Sequence, residues 1–212
     1  MPGIQEVLIE ILNSVGGLVC HQLPERSFEI GGHLLCVCAR DTGIYIGILV
    51  GLLLVVMGRR ERSGPPSLYL ILAMILPLIL DGSTQALGLR TSTNQLRLVT
   101  GLLFGTAISP FLVYLLPLLP LPRRIPVLRS IVPSEPNLDG DDPWLPAHAL
   151  AVGIVIDIVL FLLIDSVAGS ADPVLYWVVT LPIAFSLLLT VFVIPALVLV
   201  SFIDFYWAGI GE

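Results

Sequence analysis

Five apolar stretches, each close to the length needed to cross a bilayer, constrain this chain more than any other feature. The 212-residue sequence is 56% hydrophobic and only 12% charged, whereas soluble domains carry about 25% charged residues. A chain this apolar cannot cover the surface of a globule with polar groups. The composition therefore excludes an ordinary soluble enzyme. It predicts an all-α fold, a polytopic transmembrane helical bundle that forms a single membrane domain over 1–212.

The hydropathy pattern also places the individual segments. We expect spans at about 42–58, 67–89, 94–116, 147–168 and 174–203. The last is long for a single crossing and contains prolines, so we expect a tilt or a kink there. An amphipathic helix over 4–18, with acidic residues on its polar side, is predicted to lie at the membrane interface. Residues 117–146 contain eight prolines and four acidic residues, which predicts an irregular polar loop.

The distribution of arginine gives an orientation. The sequence has no lysine, and three arginines lie in each of the connections that follow the first and third spans. The positive-inside rule places these connections in the cytoplasm. We therefore expect a multi-pass protein of the cell membrane, with its N-terminus outside and its C-terminus cytoplasmic. The polar segments 20–41 and 81–97 would then share the outer face, where they could form one site. A net charge of −6 argues against a nucleic-acid partner.

The first polar segment concentrates residues that bind metals. All three cysteines and two of the three histidines lie within 20–41. Thiolate, imidazole and carboxylate groups are the usual ligands of zinc, and copper accepts them too. The expected cofactor is one zinc ion. Its candidate ligands are Cys20, His21, Cys38 and Asp41, with His33 and Cys36 as further candidates. A disulfide from Cys20 to Cys36 or Cys38, or a reactive cysteine, remains an alternative.

Charged residues inside or beside the spans are the other candidates, because such residues need partners in a bilayer. The catalytic candidates are Asp81, Gln85, Arg97 and Asp157. The candidates for binding an anionic ligand are Arg26, Arg40, Arg90, Asn94 and Arg97. We expect Asp81 and Arg97 to be linked directly or through Gln85, either in a ligand cavity or as a structural ion pair. Asp157 could pair with Arg97, carry protons, or be a neutral, hydrogen-bonded acid.

Small residues recur every four positions in two spans. Gly43, Gly47 and Gly51 lie in the first span, and Gly101 and Gly105 lie in the third. Small residues at this spacing let membrane helices approach closely. The pattern predicts a packing seam between these two spans.

Two sequence blocks resemble a known family. The first runs Cys20-His21-Gln22-Leu23-Pro24-Glu25-Arg26-Ser27-Phe28, then Gly32, then Cys38-Ala39-Arg40-Asp41-Thr42-Gly43. The second runs Asp81-Gly82-Ser83-Thr84-Gln85, then Gly88, Arg90, Ser92, Asn94, Arg97 and Thr100-Gly101. Together they resemble the membrane family called domain of unknown function 2085. The second block also resembles VanZ-like membrane proteins, which implies envelope or lipid chemistry. The family pattern implies a cysteine where Asp41 stands, so a C-x-x-C redox pair cannot form here.

Three functions fit these residues, and the sequence leaves open whether the protein is an enzyme. The first is a membrane enzyme or binding protein that acts on a lipid headgroup or another anionic ligand at the outer face. The second is a small transporter or channel component coupled to ions or protons. The third is a non-catalytic subunit with a structural metal knuckle or disulfide. The lipid bilayer is the expected partner in each case.

Overall fold

The computed structural model describes residues 3–57, 64–116, 143–196, 198–199 and 206. Within them the chain forms six helices and one short hairpin. The helices are α1 (Ile4–Gly16), α2 (Ala39–Val56), α3 (Leu68–Ala86), α4 (Asn94–Leu115), α5 (Ala147–Val167) and α6 (Pro173–Leu188), and the hairpin strands are β1 (Glu29–Ile30) and β2 (His33–Leu34). A five-residue π-helical segment, Leu189–Val193, continues α6.

Five helices are long and apolar enough to cross a membrane, which confirms the expected number of spans. They are α2, α3, α4, α5 and the extended helix Pro173–Ala196 that begins with α6. The first span begins at Ala39 rather than near residue 42, because Cys38 is already the N-cap of α2. Helix α1 is amphipathic as expected. It packs Ile9 and Leu12 against the core and exposes Ile4 and Ile11.

Helices α2 and α4 form the centre of the bundle. Their backbones touch along the glycine positions: a Cβ on Gly43 would overlap the carbonyl oxygen of Leu98, and a Cβ on Gly105 would overlap that of Ile44. The expected seam between the first and third spans is therefore present. Around this pair, α3 and α5 pack on α4, while α5 and α6 pack on α2.

The outer faces of the flanking helices are apolar. Large exposed side chains include Leu72, Leu76 and Ile79 of α3, Val155, Ile158 and Leu162 of α5, and Val178, Leu181 and Phe185 of α6. An exposed apolar surface of this extent on several sides of a bundle fits contact with lipid tails. The arrangement agrees with a polytopic membrane protein.

At the end of the bundle away from the start of α2, two connections meet. Gly64, before α3, pairs with Pro143, before α5, and the N–H of Trp144 donates to the carbonyl of Gly64 at 2.8 Å. Trp144 and Leu145 are fully buried, so this end of the expected loop packs into the core although its backbone is irregular. Their large apolar side chains fill the core beside Tyr114. Residues 117–142, with the acidic cluster, lie outside the described residues.

Candidate functional site

The opposite end of the bundle holds a buried carboxylate between two guanidinium groups. We call this region, with the segment 20–38, the start of α2 and the α3–α4 connection, the polar end. Asp81 of α3 is 1% exposed. Its Oδ2 accepts from Arg40 Nη2 at 2.5 Å, and its Oδ1 accepts from Arg90 Nη2 at 2.6 Å. A carboxylate this deeply buried needs such partners, and here they come from two different parts of the chain.

Neighbouring polar side chains hold both arginines in place. Arg40 Nη2 also donates to Gln85 Oε1 at 3.1 Å. Arg90 Nε donates to Thr84 Oγ1 at 3.0 Å, which folds the α3–α4 connection back onto α3. Gln85 and Asp81 lie one turn apart, so both reach the same guanidinium group. The two polar sequence blocks therefore form one hydrogen-bonded network.

Arg97 of α4 lies in the same region but has a different environment. It is 6% exposed, and its Nη1 donates to Asn94 Oδ1 at 2.8 Å. The Nδ2 of Asn94 donates in turn to the carbonyl of Ser27 at 3.4 Å. Among the described residues, no carboxylate lies within salt-bridge distance of Arg97. Arg97 is near enough to Arg40 and Asp81 to interact with both electrostatically.

The expected link between Asp81 and Arg97 is therefore wrong. Neither a direct ion pair nor a bridge through Gln85 is present among the described residues, because Arg40 and Arg90 occupy both oxygens of the carboxylate. Arg40 can do so because the first turn of α2 approaches α3. Arg26, the remaining arginine of this region, is exposed, and its Nε lies 3.9 Å from Glu25 Oε1.

The cysteine-rich segment forms a second cluster beside the arginines. The candidate ligand atoms of Cys20, Cys38 and Asp41 all lie within 4.8 Å of one another. Cys38 Sγ donates to Asp41 Oδ2 at 3.2 Å. Cys20 Sγ accepts two backbone N–H groups, from Gln22 at 3.4 Å and from Cys38 at 3.2 Å. Three of the six predicted metal ligands are thus close together.

The surroundings give the three cysteines different acidities. A hydrogen bond from Cys38 and two backbone N–H donors lower the pKa of Cys20 to about 7, against the opposing effect of burial. The pKa of Cys38 is raised, first by its contact with the Cys20 sulfur and then by burial. Burial raises the pKa of Cys36 to about 11. All three are free thiols in the structure.

The other predicted ligands lie outside this cluster. His21 is exposed. His33 lies at the hairpin, where its ring packs edge-on against Tyr176 with centroids 5.5 Å apart. Cys36 is fully buried in the apolar core. These three residues therefore do not join Cys20, Cys38 and Asp41 in the structure.

Gln22 shapes this cluster although it is not among the predicted ligands. It has a φ of 51°, the one described residue other than glycine with a positive φ. Its Nε2 donates to the carbonyls of Asn13 and Cys36, both at 2.7 Å. These bonds hold the turn that directs the Gln22 N–H at Cys20. Nothing in the sequence signals a left-handed glutamine, because a positive φ is uncommon for any residue with a Cβ.

Asp157 does not belong to the polar end. It lies on α5, is 3% exposed, and accepts a hydrogen bond from Thr106 Oγ1 at 2.8 Å. Thr106 Oγ1 also lies 3.1 Å from the carbonyl of Gly47, so three helices meet there. Thr106 follows Arg97 on α4 by nine residues, which is about 13 Å along the helix. The expected pairing of Asp157 with Arg97 is wrong.

Comparisons with known proteins match the part of the chain that holds both clusters. A family described as predicted membrane protein (DUF2085) matches residues 20–111. An uncharacterized protein of Methanocaldococcus jannaschii is 44% identical over 109 residues, which cover 50% of this chain and 67% of the relative. An uncharacterized protein of Methanothermobacter thermautotrophicus is 38% identical over 91 residues, which cover 43% of this chain and 81% of the relative.

No solved structure gives a significant match to the chain. The matched residues 20–111 include both clusters, the first two spans and most of the third. The agreement in both sequence blocks and in helical architecture leads to one conclusion: the chain belongs to the DUF2085 family of membrane proteins.

Proposed function

We propose that the polar end binds a phosphate-bearing anionic group, such as the headgroup of a membrane lipid. One observation carries this proposal. Arg97 is only 6% exposed, and no carboxylate among the described residues forms an ion pair with it. A charged residue costs about 2.5–3.5 kcal/mol at the centre of a membrane helix, and Arg97, although it lies in the first turn of α4, is buried away from water. A charge kept at that cost and without a protein counter-ion is expected to meet an external one.

The charges around Arg97 favour an anion. The guanidinium groups of Arg40, Arg90 and Arg97 lie in one region with a single fully buried carboxylate, that of Asp81. Asp81 neutralises one of these positive charges and holds Arg40 and Arg90 in fixed positions. A guanidinium fork matches the oxygens of phosphate and can bind two of them at once. The region therefore supplies both the charge and the geometry for a phosphate group.

The location favours a ligand that approaches from the membrane surface. The two arginine-rich connections of the sequence lead into Gly64 and Pro143, which meet at the other end of the bundle. By the positive-inside rule, that end faces the cytoplasm and the polar end faces outward. A lipid headgroup in the outer leaflet lies at the depth of such a site. Free phosphate would offer the same oxygen acceptors to the arginines.

The test is binding by the full-length protein in detergent and in nanodiscs. We expect native mass spectrometry to show retained phosphatidylglycerol. The variant Arg97→Gln should retain it at least about tenfold less well, because a charge-assisted hydrogen bond contributes about 1.5–3 kcal/mol. Arg97→Lys should show an intermediate loss, because it keeps the charge and loses the fork. Competition by inorganic phosphate would identify free phosphate as the source, and its failure would identify the lipid headgroup.

The matched control is Arg123→Gln, which removes one positive charge from the proline-rich segment instead. It should bind as the unmodified protein does. Equal loss in both variants, with helicity unchanged, would mean that only net charge matters and would overturn the proposal. Absence of binding to phosphatidylglycerol and to phosphate would overturn it as well.

A further inference from the structure

We propose that Cys20, Cys38 and Asp41 bind a zinc ion, with a fourth coordination position open to water or to a ligand. This site is separate from the arginine network, and it does not depend on the anion proposal. It uses three of the residues predicted from the sequence and leaves out His21, His33 and Cys36.

The distances between the three side chains fit one tetrahedral ion. Zinc bonds of about 2.3 Å to sulfur and 2.0 Å to oxygen place two sulfur ligands about 3.8 Å apart, and a sulfur and an oxygen about 3.5 Å apart. Cys38 Sγ and Asp41 Oδ2 are 3.2 Å apart, and all three ligand atoms lie within 4.8 Å of one another. The Cys38–Asp41 pair is thus within about 0.3 Å of its ideal separation, and the two pairs that include Cys20 need to close by no more than about 1.3 Å.

The local backbone explains why the three side chains converge. Cys38 is the N-cap of α2 and Asp41 is the third residue of that helix, so both side chains lie over the first turn. Cys20 is brought to this turn by the segment before the hairpin. Its sulfur is fixed there by N–H groups of Gln22 and Cys38. Donors aimed at a sulfur ligand orient it and tune its metal.

The conformation of Gln22 and its side-chain hydrogen bonds give a second reason to regard the turn beside Cys20 as a functional site. A residue with a Cβ is held at a φ of 51°, and two side-chain hydrogen bonds of 2.7 Å maintain it. Backbone strain of this kind persists only where the surroundings impose it, and it clusters at functional sites. Here its result is an N–H aimed at the sulfur of Cys20.

The ligand set selects the kind of metal. Two sulfurs and one carboxylate oxygen suit zinc, whereas calcium and magnesium prefer oxygen alone. Three protein ligands are the number found at catalytic zinc sites, which keep one position open. Binding replaces thiol protons by the metal, so each zinc ion taken up releases protons to the solvent.

The test is metal binding by the full-length protein, purified under reducing conditions and stripped with a chelator. We expect one zinc ion per chain. Cobalt, used as a spectroscopic substitute, should show the visible bands of a tetrahedral site and a thiolate-to-cobalt charge-transfer band. The variants Cys20→Ser and Cys38→Ser should each weaken binding by at least about a hundredfold. Asp41→Cys should keep the site, tighten it and strengthen the charge-transfer band, because it adds a third thiolate.

The matched control is Cys36→Ala, which removes a cysteine that is buried outside the cluster. It should bind cobalt as the unmodified protein does. No uptake of zinc or cobalt by the folded protein would overturn the proposal. So would equal loss in Cys36→Ala and Cys38→Ser, or a Cys20–Cys38 disulfide that survives reduction and lowers the mass by two protons. Loss of phosphate binding with metal uptake intact would affect the proposed function alone.

Discussion

The polar end and the middle of the bundle each bury one aspartate, but they hold it in different ways. Asp81 at the polar end has an arginine on each carboxylate oxygen. Asp157 in the middle has one hydroxyl, that of Thr106, and its Oδ2 is buried without a hydrogen-bond partner among the described residues. The middle is instead held by close backbone contact at the glycines of α2 and α4.

The difference shows where this chain places its charge. Ion pairs lie at the end of the bundle, where Arg40 and Arg90 still have 25% and 42% of their side chains exposed. In the middle, where Asp157 and Thr106 are buried, close packing and hydrogen bonds of hydroxyl groups take the place of ion pairs. The stability of the polar end therefore depends on ion pairs, and that of the middle depends on close packing. Substitutions in the two regions should distinguish these contributions.

The largest effect is expected from Gly47→Leu in the middle. A Cβ at this position would overlap the carbonyl oxygen of Leu102, so α2 and α4 must move apart along their contact. We expect a loss of more than about 3 kcal/mol in the free energy of unfolding, measured by SDS titration in mixed micelles. Gly82→Leu is the control, because nothing lies within 4 Å of a Cβ there. Similar losses in both variants would contradict the close contact.

Next in size is Asp81→Asn at the polar end. Removal of the carboxylate leaves Arg40 and Arg90 without their shared partner. We expect a loss of about 3 kcal/mol, at the lower end of the range for a broken buried ion pair, because both arginines can still reach water. The same titration measures it. The comparison variant Asp165→Asn removes a half-buried carboxylate from α5 and should change stability by no more than about 0.5 kcal/mol.

The two arginines of the network should differ from each other. Arg40→Gln is expected to cost about 1.5 kcal/mol or more, because its side chain is 25% exposed and also bonds Gln85. Arg90→Gln should cost about 1 kcal/mol or less, since 42% exposure screens its ion pair. Thermal unfolding in detergent at low and high salt provides the measurement. A reversed order would mean that the α3–α4 connection, rather than α2, anchors the carboxylate.

The smallest effect is expected from Asp157→Asn. The hydroxyl of Thr106 has one proton, and two oxygens lie within its reach: the carbonyl of Gly47 and Oδ1 of Asp157. The amide of an asparagine at 157 can accept from this hydroxyl or donate to it, so a hydrogen bond is kept. We expect a change below about 0.5 kcal/mol, and a loss of about 0.6 kcal/mol in Asp157→Leu, the average for a hydrogen bond between membrane helices. A loss as large as that of Asp81→Asn would show that the middle also depends on charge. Proton flux in liposomes that disappears in Asp157→Asn would favour a transport function.

The sequence predicted the architecture better than the contacts. Five spans, the glycine seam and the convergence of both polar blocks follow from patterns that are local or repeat along one helix. The partner of Asp81 does not, because it depends on how the start of α2 approaches α3. Arg40 and Arg97 are chemically equal candidates in the sequence, and only the packing distinguishes them.

The cluster of Cys20, Cys38 and Asp41 was predictable in part for a similar reason. The spacing of Cys38 and Asp41 places both on the first turn of α2, so their closeness follows from helix geometry. Cys20, rather than His21 or His33, contacts this turn. Its position depends on the left-handed conformation of Gln22, which helix geometry does not predict. Trp144 escaped notice because it lies in a proline-rich segment, although a tryptophan there was a signal for burial.

Arg40 and Asp41 are consecutive residues of one helical turn, and they contact different clusters. Neighbouring side chains on a helix diverge by about 100°, so Arg40 contacts Asp81 and Gln85 while Asp41 contacts Cys38. A rotation of this turn would therefore move both side chains. If both proposed sites bind their ions, any coupling through this turn is reciprocal: the factor by which one ion changes the affinity for the other is the same in both directions.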